Sequence, residues 1–358
     1  MEERILNRST VRAILTLLVA LAIGLVVARI DFQGLGEAGR AALGIFVIAA
    51  LLWMLEPFPL YVTSFIIVIL EVIFLARPGS GIGYQAFLFP FFDPVVVLLL
   101  GGFSMALAVK RYRLDELLSR RVLRSVGRKP GAVLGGMMVA SAFLSMWLSN
   151  TATTALMLAV ALPIVDSLPP GERFRKALIL GIPFACNIGG MGTPIGTPPN
   201  AVAIGILSNS GMGIGFLEWM LRGLPMVAVL LAVAWAVLMR FFRPGVASID
   251  IDLGEKRRID GRMKLVLTTF VVIVVLWLTS GIHGIPSAIV SLVPLVVFFG
   301  LGMLDDNDLK NLGWKVLFIV GGGMSLGVAM KETGLTEWMV HQVPLEGMGL
   351  LLILLVFA

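Results

Sequence analysis

The chain has 358 residues, of which 58% are hydrophobic and 14% charged, with a mean hydropathy of +0.98. A soluble protein carries roughly a quarter charged residues, so the composition excludes an ordinary globular domain and describes an all-α polytopic membrane protein. The net charge of +6 is gathered in blocks between apolar runs, which reads as a topology signal and a lipid-headgroup contact rather than a nucleic-acid surface.

A spanning helix needs about 20 mostly apolar residues. Segments at 11–29, 40–55, 58–76, 94–110, 220–242, 264–282, 285–304 and 314–331 qualify. The first follows Arg4, Arg8 and Arg12 but is longer than a signal-peptide core and ends in VVARIDF without a small-residue cleavage site, so it is read as a helix. The single cysteine, Cys186, permits no intramolecular disulfide. His283 and His341 fall in predicted loops far from any Cys or Glu cluster, so no metal-ligand set of that kind is expected.

Eight basic residues lie between Lys110 and Lys129 against Asp115 and Glu116, and seven between Arg240 and Lys264 against four acids. Basic loops stay cytoplasmic, which places the N-terminus and both blocks on the cytoplasmic side. Within the first block, RYRLDELLSRRVLRSV (111–126) spaces Leu114, Leu117, Leu118, Val122 and Val126 as a helix does, with arginines between them. It reads as an interfacial amphipathic helix, either a surface-anchored linker or a stiff arm between moving parts.

Two runs are not plain spans. Residues 131–165 carry no charge and are too long for one crossing at about 1.5 Å per residue. Two arms of roughly 15–18 residues meeting at Ser149-Asn150-Thr151 fit better. A pair of full spans would give the same sidedness, but the arm length and the polar triplet favour a re-entrant hairpin whose tip is buried in protein or lines a wet cavity. The second run, NIGGMGTPIGTPPNAVAIGIL (187–207), places four glycines and three prolines within Gly189–Asn200. Proline removes a backbone donor and clashes with the previous turn, so the expectation is a discontinuous helix over 177–207, restarting near Pro198-Pro199.

Helix N-termini at Asn150-Thr151 and near Thr197–Asn200 would offer free N–H groups and positive dipole ends to an anion. Oxygens of Ser145, Ser149, Asn150, Gly192 and Gly196 could surround a hard cation such as sodium. No Asp, Glu, Lys, Arg or His occurs in 131–165, nor in 177–217, which argues against a proton relay there. Each feature alone reads as a helix cap or a kink; together they point to a site.

The run 98–118 resembles 319–339 at an offset of 221 residues: Gly101-Gly102 falls on Gly322-Gly323, Ser104 on Ser325, Lys110 on Lys331, Leu114 on Leu335 and Glu116 on Glu337. Trp53 and Trp277 stand at comparable places with an offset of 224. By the assigned topology the repeat is inverted, as in secondary transporters. The counterpart of Ser149 would fall near position 370, beyond Ala358. The expectation is that 336–358 begins a second hairpin whose tip is missing, so that the second half is incomplete: a fragment of a longer reading frame, or a natural truncation needing a partner.

SNTAT (149–153), GTPPNA (196–201) and GGGMSLGVAMKETGL (321–335) together resemble the divalent anion/sodium symporter family, over nearly the whole chain. The resemblance implies a homodimeric, sodium-coupled carrier of C4-dicarboxylates (succinate, malate, fumarate) in a bacterial-type inner membrane, working as an elevator. It implies scaffold helices in 1–110, an arm at 111–130, a transport domain at 131–242 and second-repeat scaffold helices at 243–335. Ser145, Ser149, Asn150 and Gly196 would form the first sodium site. Asn150, Thr151 and Thr197 would contact a substrate carboxylate, with Pro198-Pro199 shaping the helix start and Ser149 and Asn200 beside them. The family's second Ser-Asn-Thr is absent from these residues. Competing readings are a sodium-independent exchanger, a sulfate or citrate transporter, and a non-transporting membrane subunit. No nucleophile–base pair or phosphate loop suggests an enzyme.

Overall fold

A computed structural model of the chain describes residues 8–125, 127–209, 211–249 and 259–342. Among these every regular element is helical. Helices α1 (Arg8–Arg29), α2 (Glu37–Leu55) and α3 (Leu60–Phe74) follow one another through short connections, with Glu56 in the left-handed region (φ 45°) closing α2. After α4 (Gln85–Leu88) and a 3₁₀ turn at Phe89–Phe92, α5 (Pro94–Arg111) leads into α6 (Leu114–Ser125). Then come α7 (Pro130–Ser145), α8 (Asn150–Ser167), α9 (Phe174–Gly190), α10 (Pro198–Asn209) and α11 (Phe216–Phe241). The rest is α12 (Gly261–Leu278), α13 (Ser280–His283), α14 (Ser287–Val290), α15 (Leu292–Gly300), α16 (Asp306–Lys310), α17 (Trp314–Glu332) and α18 (Leu335–Gln342).

Seven of these stretches are long and apolar enough to cross a membrane, and three more apolar helices are shorter. The protein is therefore a multi-pass, all-α membrane protein. Two expectations need correction. The span read as 285–304 is shorter than expected: the apolar helical stretch runs over Ser287–Gly300, as α14 and α15 on either side of the buried Ser291, whose backbone stays right-handed helical. His283 and His341, both expected in loops, belong to α13 and α18. The start of a second hairpin expected at 336–358 lies, beyond Gln342, outside the described residues.

The chain divides into two compact units, residues 1–93 with 315–358 and residues 94–314. In the first, Leu52, Ile67 and Phe87 form a fully buried core with Ala329 and Leu335. In the second, α7 and α9 approach so closely that a Cβ on Gly189 would lie 2.3 Å from Ala142 O; only glycine permits that contact.

The repeat is visible in the details of both units. Helices α5 and α17 each pass through two residues into the next helix, and the residue before that helix has a left-handed backbone at both places, Arg113 (φ 55°) and Gly334 (φ 72°). In the first unit Trp53 Nε1 donates to Leu60 O (3.3 Å), and in the second Trp277 Nε1 donates to Ser287 O (3.1 Å). A Cβ on Gly322 would sit 2.3 Å from Ser64 Cβ, and one on Gly101 2.1 Å from Ser291 O. Hence α17 packs on α3, which precedes it in the other repeat, while α5 packs on α14 and α15 from the later one. The repeats exchange helices.

The loop between α8 and α9 is tied to the segment after α11 by one carboxylate. Glu172 accepts from Phe174 N (3.1 Å) and, through both oxygens, from Gly245 N (3.2 Å each). These backbone donors, Phe174 first, hold its carboxyl below the ordinary carboxylate range. A group depressed in the folded state contributes above its unfolded value and stops contributing as pH falls through the depressed one. Amide exchange at Gly245, corrected for intrinsic rate, is therefore expected to be slow near neutrality and to accelerate in acid. Glu172→Gln should abolish that pH dependence.

Candidate anion and cation site

All the residues singled out by the sequence lie in the second unit, on α7, α8, α9, α10 and the turns between them. The run 131–165 folds as two helices meeting at the turn before Ser149, α7 of 16 residues and α8 of 18, and α8 is among the stretches long and apolar enough to cross a membrane. Ser149, extended at φ −63° and ψ 141°, caps α8: its Oγ accepts from Ala152 N at 3.3 Å. The turn before it is pinned from within by aromatic contact. Trp147 meets Phe270 edge-on (5.2 Å between centroids) and stacks near Phe216 (6.4 Å), which itself stacks on Trp277 (4.8 Å).

Helix α9 stops at Gly190 and α10 begins at Pro198, so seven residues, 191–197, run without regular helix between two helices. Four buried or half-buried ties hold this gap open. Asn200 donates from Nδ2 to Gly190 O (2.9 Å) and Thr193 O (2.8 Å). Thr193 Oγ1 donates to Met146 O in the hairpin turn, and Trp219 Nε1 of α11 donates to Met191 O (3.0 Å). Backbone satisfied in this way can remain unwound at membrane depth.

The two features meet at Asn150. Its Oδ1 accepts from Ser145 Oγ at 2.6 Å, and its Nδ2 donates to Asn187 Oδ1 at 3.2 Å. Gly190 lies directly beneath: a Cβ there would be 2.8 Å from Asn150 Oδ1 and 3.3 Å from Gly196 O. Gly196 would meet Gly190 O at 2.3 Å, so the carbonyls of the gap and the amide of the hairpin crowd one spot. Ser145 Oγ, Asn150 Oδ1 and Gly196 O thus gather around Gly190, whose own carbonyl accepts from Asn200. These neutral oxygens are a donor set suited to a hard cation and not to a soft one. No group of three or more His, Cys, Asp or Glu that could hold a metal occurs among the described residues.

Ser149 and Thr151 are exposed at the start of α8, while Thr197 and Pro198 are half-buried at the start of α10. The positive end of α8 opens there toward an anion. By contrast, α10 begins on Pro198 and Pro199, which carry no N–H, and Asn200 N is bonded to Thr197 O (3.1 Å), so its start offers the Thr197 side chain and the helix dipole rather than free amides. Gly192 is buried against Met146, whose Cε would be 3.0 Å from a Cβ there, and is not among the groups that surround Asn150. Asn200 is buried with both amide protons committed to the gap, so its role in the geometry is to brace. Asn200→Ala should lower stability by about 1–3 kcal/mol, the cost of two carbonyls left short of a donor. Asn200→Asp should cost more, because it turns acceptors toward acceptors. The ordering of thermal midpoints in detergent checks this.

Sequence reasoning did not single out Asn187, which closes the chain Ser145–Asn150–Asn187, nor Thr193 and Trp219, which brace the gap. The one available signal was a lone Asn in the last turn of an apolar helix, three residues before the glycine that ends it.

The chain is similar in sequence to known membrane transport proteins. A family model described as a citrate transporter matches residues 50–358. An uncharacterised transporter of Schizosaccharomyces pombe is 31% identical over 341 residues, 92% of this chain and 38% of its own length. A sodium-dependent dicarboxylate transporter of Staphylococcus saprophyticus is 30% identical over 355 residues, 87% of this chain and 67% of its own. An inorganic phosphate transporter of Saccharomyces cerevisiae is 28% identical over 320 residues, 86% of this chain and 34% of its own. The chain therefore spans little more than a third of the two fungal relatives and about two thirds of the staphylococcal one.

Proposed function

The chain belongs to the citrate transporter family, and from that premise we propose that it imports C4-dicarboxylates such as succinate, malate and fumarate by symport with sodium. It is a transport protein of the membrane, not an enzyme. The observation that carries the reading is the meeting of hairpin and gap at Asn150, with Ser145 and Asn187 on its amide and Gly190 and Gly196 beside it. On this reading Ser145, Ser149 and Asn150 hold sodium with the Gly196 carbonyl and Gly192 behind it. Thr151, Thr197, Pro198 and Asn200 shape the place where a substrate carboxylate meets two helix N-termini with Ser149 and Asn150. Cation and anion, each held by uncharged dipoles, offset one another's charge.

The staphylococcal relative is named for sodium-dependent dicarboxylate transport, which supports both the ion and the anion class. Further parts of the proposal are a homodimer in a bacterial-type inner membrane, a cytoplasmic N-terminus, and an elevator motion of 131–242 against scaffold helices drawn from 1–110 and 243–335, linked by 111–130. The decisive measurement is uptake of labelled succinate into vesicles containing the full-length protein. Uptake should rise with an inward sodium gradient, vanish when potassium replaces sodium, and be competed by succinate more strongly than by citrate, sulfate or phosphate. Equal uptake without sodium would make it an exchanger, and stronger competition by phosphate would align it with the Saccharomyces cerevisiae relative.

A further inference from the structure

The first unit by itself contains a place suited to negative charge where the ends of three of its helices meet. Helices α1 and α2 touch where a Cβ on Gly44 would lie 2.5 Å from Gly24 O. From that crossing toward Arg29 and Glu37 a cavity of about 650 Å³ opens, bounded also by the end of α3. Its lining is mixed: Leu25, Ile45 and Phe74 contribute apolar surface, and Arg29, Arg40 and Arg77 line it as well. These come from three different helix ends: the last turn of α1, the first turn of α2 and the residues just past α3.

Arg40 is partly spent, since its Nη1 lies 2.7 Å from Asp31 Oδ1. Arg77 is held in place by its own helix, with Nε donating to Ile73 O (3.4 Å) and Cζ 5.7 Å from the Phe74 ring centre. Neither Arg77 nor Arg29 has a carboxylate within salt-bridge reach among the described residues. Glu37 is the one acid lining the cavity. The charged part of the lining is therefore mainly cationic, and guanidinium groups present paired donors that match phosphate oxygens.

Single arginines at helix ends are expected to reach for the headgroup layer in any membrane protein. Three converging on one cavity that also carries apolar surface, beside a helix that exposes Leu18, Val19, Leu25 and Val26, is a more specific arrangement. We propose that this cavity binds an anionic phospholipid, its phosphate between Arg29 and Arg77 and its acyl chains along α1 and α2. A soluble phosphate would find the charge but would leave the apolar surface unused.

The test is lipid retention by the detergent-solubilised full-length protein, read by native mass spectrometry. Phosphatidylglycerol, phosphatidylcholine of the same acyl chains, and sn-glycerol 3-phosphate are compared on the wild type and on Arg29→Gln/Arg77→Gln. Phosphatidylglycerol should be retained preferentially. The paired substitution should weaken it by about 30-fold, about fivefold for each arginine, and glycerol phosphate should not bind measurably. Equal retention of the two lipids, an unaffected double variant, or binding of glycerol phosphate as tight as that of the lipid would each overturn the proposal. So would disulfide cross-linking of two copies through Leu25→Cys in phosphatidylglycerol vesicles, because a second copy would then fill the cavity.

Discussion

Asn150→Ala is expected to weaken sodium-dependent anion binding by roughly 10- to 100-fold, since each hydrogen bond to a charged group is worth about 1.5–3 kcal/mol. The side chain is half-buried and joins three elements: it accepts from Ser145 on α7, begins α8, and donates to Asn187 on α9. Removing it leaves Ser145 and Asn187 without this partner and takes away the amide oxygen that lies over Gly190. The chain should still fold, because the hairpin turn is held separately by Trp147 against Phe216 and Phe270 and by Thr193 on Met146. Asn150→Asp separates the two ligands. An aspartate keeps an oxygen for Ser145 and for a cation but adds a negative charge where an anion approaches and removes the donor to Asn187. It should therefore lower anion affinity further than alanine does while preserving or tightening the sodium response. Binding of labelled succinate across a sodium titration distinguishes the variants. Unchanged binding in Asn150→Ala would move the site elsewhere.

The hairpin and the gap were legible because their chemistry is local. No helix runs through the glycines and prolines of Gly189–Asn200, and a polar triplet amid uncharged residues has few places to sit in lipid. The helix restart at Pro198 followed from proline's fit to a first helical turn. What escaped was tertiary. The pattern of 177–217 could show that Asn187 and Asn200 were polar, but not that one faces Asn150 while the other turns inward to two carbonyls. The role of Ser291 was hidden for a similar reason: the apolar run of 285–304 satisfies a length criterion, and only the structure shows Gly101 packed directly against Ser291. The repeat gave its register at once, through Gly101-Gly102 and Gly322-Gly323. That register does not say that α5 and α17 trade packing partners, because identical small-residue surfaces can receive either neighbour. A glutamate within 58–76 was also absorbed into a span by composition alone.

That glutamate carries the second large expectation. Glu71 is fully buried on α3, and Ser325 of α17, equally buried, hydrogen-bonds its Oε2 while lying 3.0 Å from Phe87 O. Glu71 Oε1 has no partner among the described residues. Leu60 and Ser64 are related to Ser287 and Ser291 by the same offset of 227 residues, which sets Glu71 opposite Phe298. Phe298 is also fully buried, so the equivalent position in the other repeat is filled by an apolar ring and the architecture does not itself call for an acid. Ser325→Ala is therefore expected to be the costly change, at about 3 kcal/mol, since it strips the carboxyl of its one side-chain hydrogen bond and leaves it enclosed. Glu71→Leu alone should cost less, because Ser325 keeps Phe87 O as an acceptor. In the double variant most of the loss should disappear, as both polar partners are then gone and an apolar side chain fills the space. Thermal midpoints of the four proteins in detergent give the coupling directly. A double variant no better than Ser325→Ala would mean that the acid is needed for more than its hydrogen bond to Ser325.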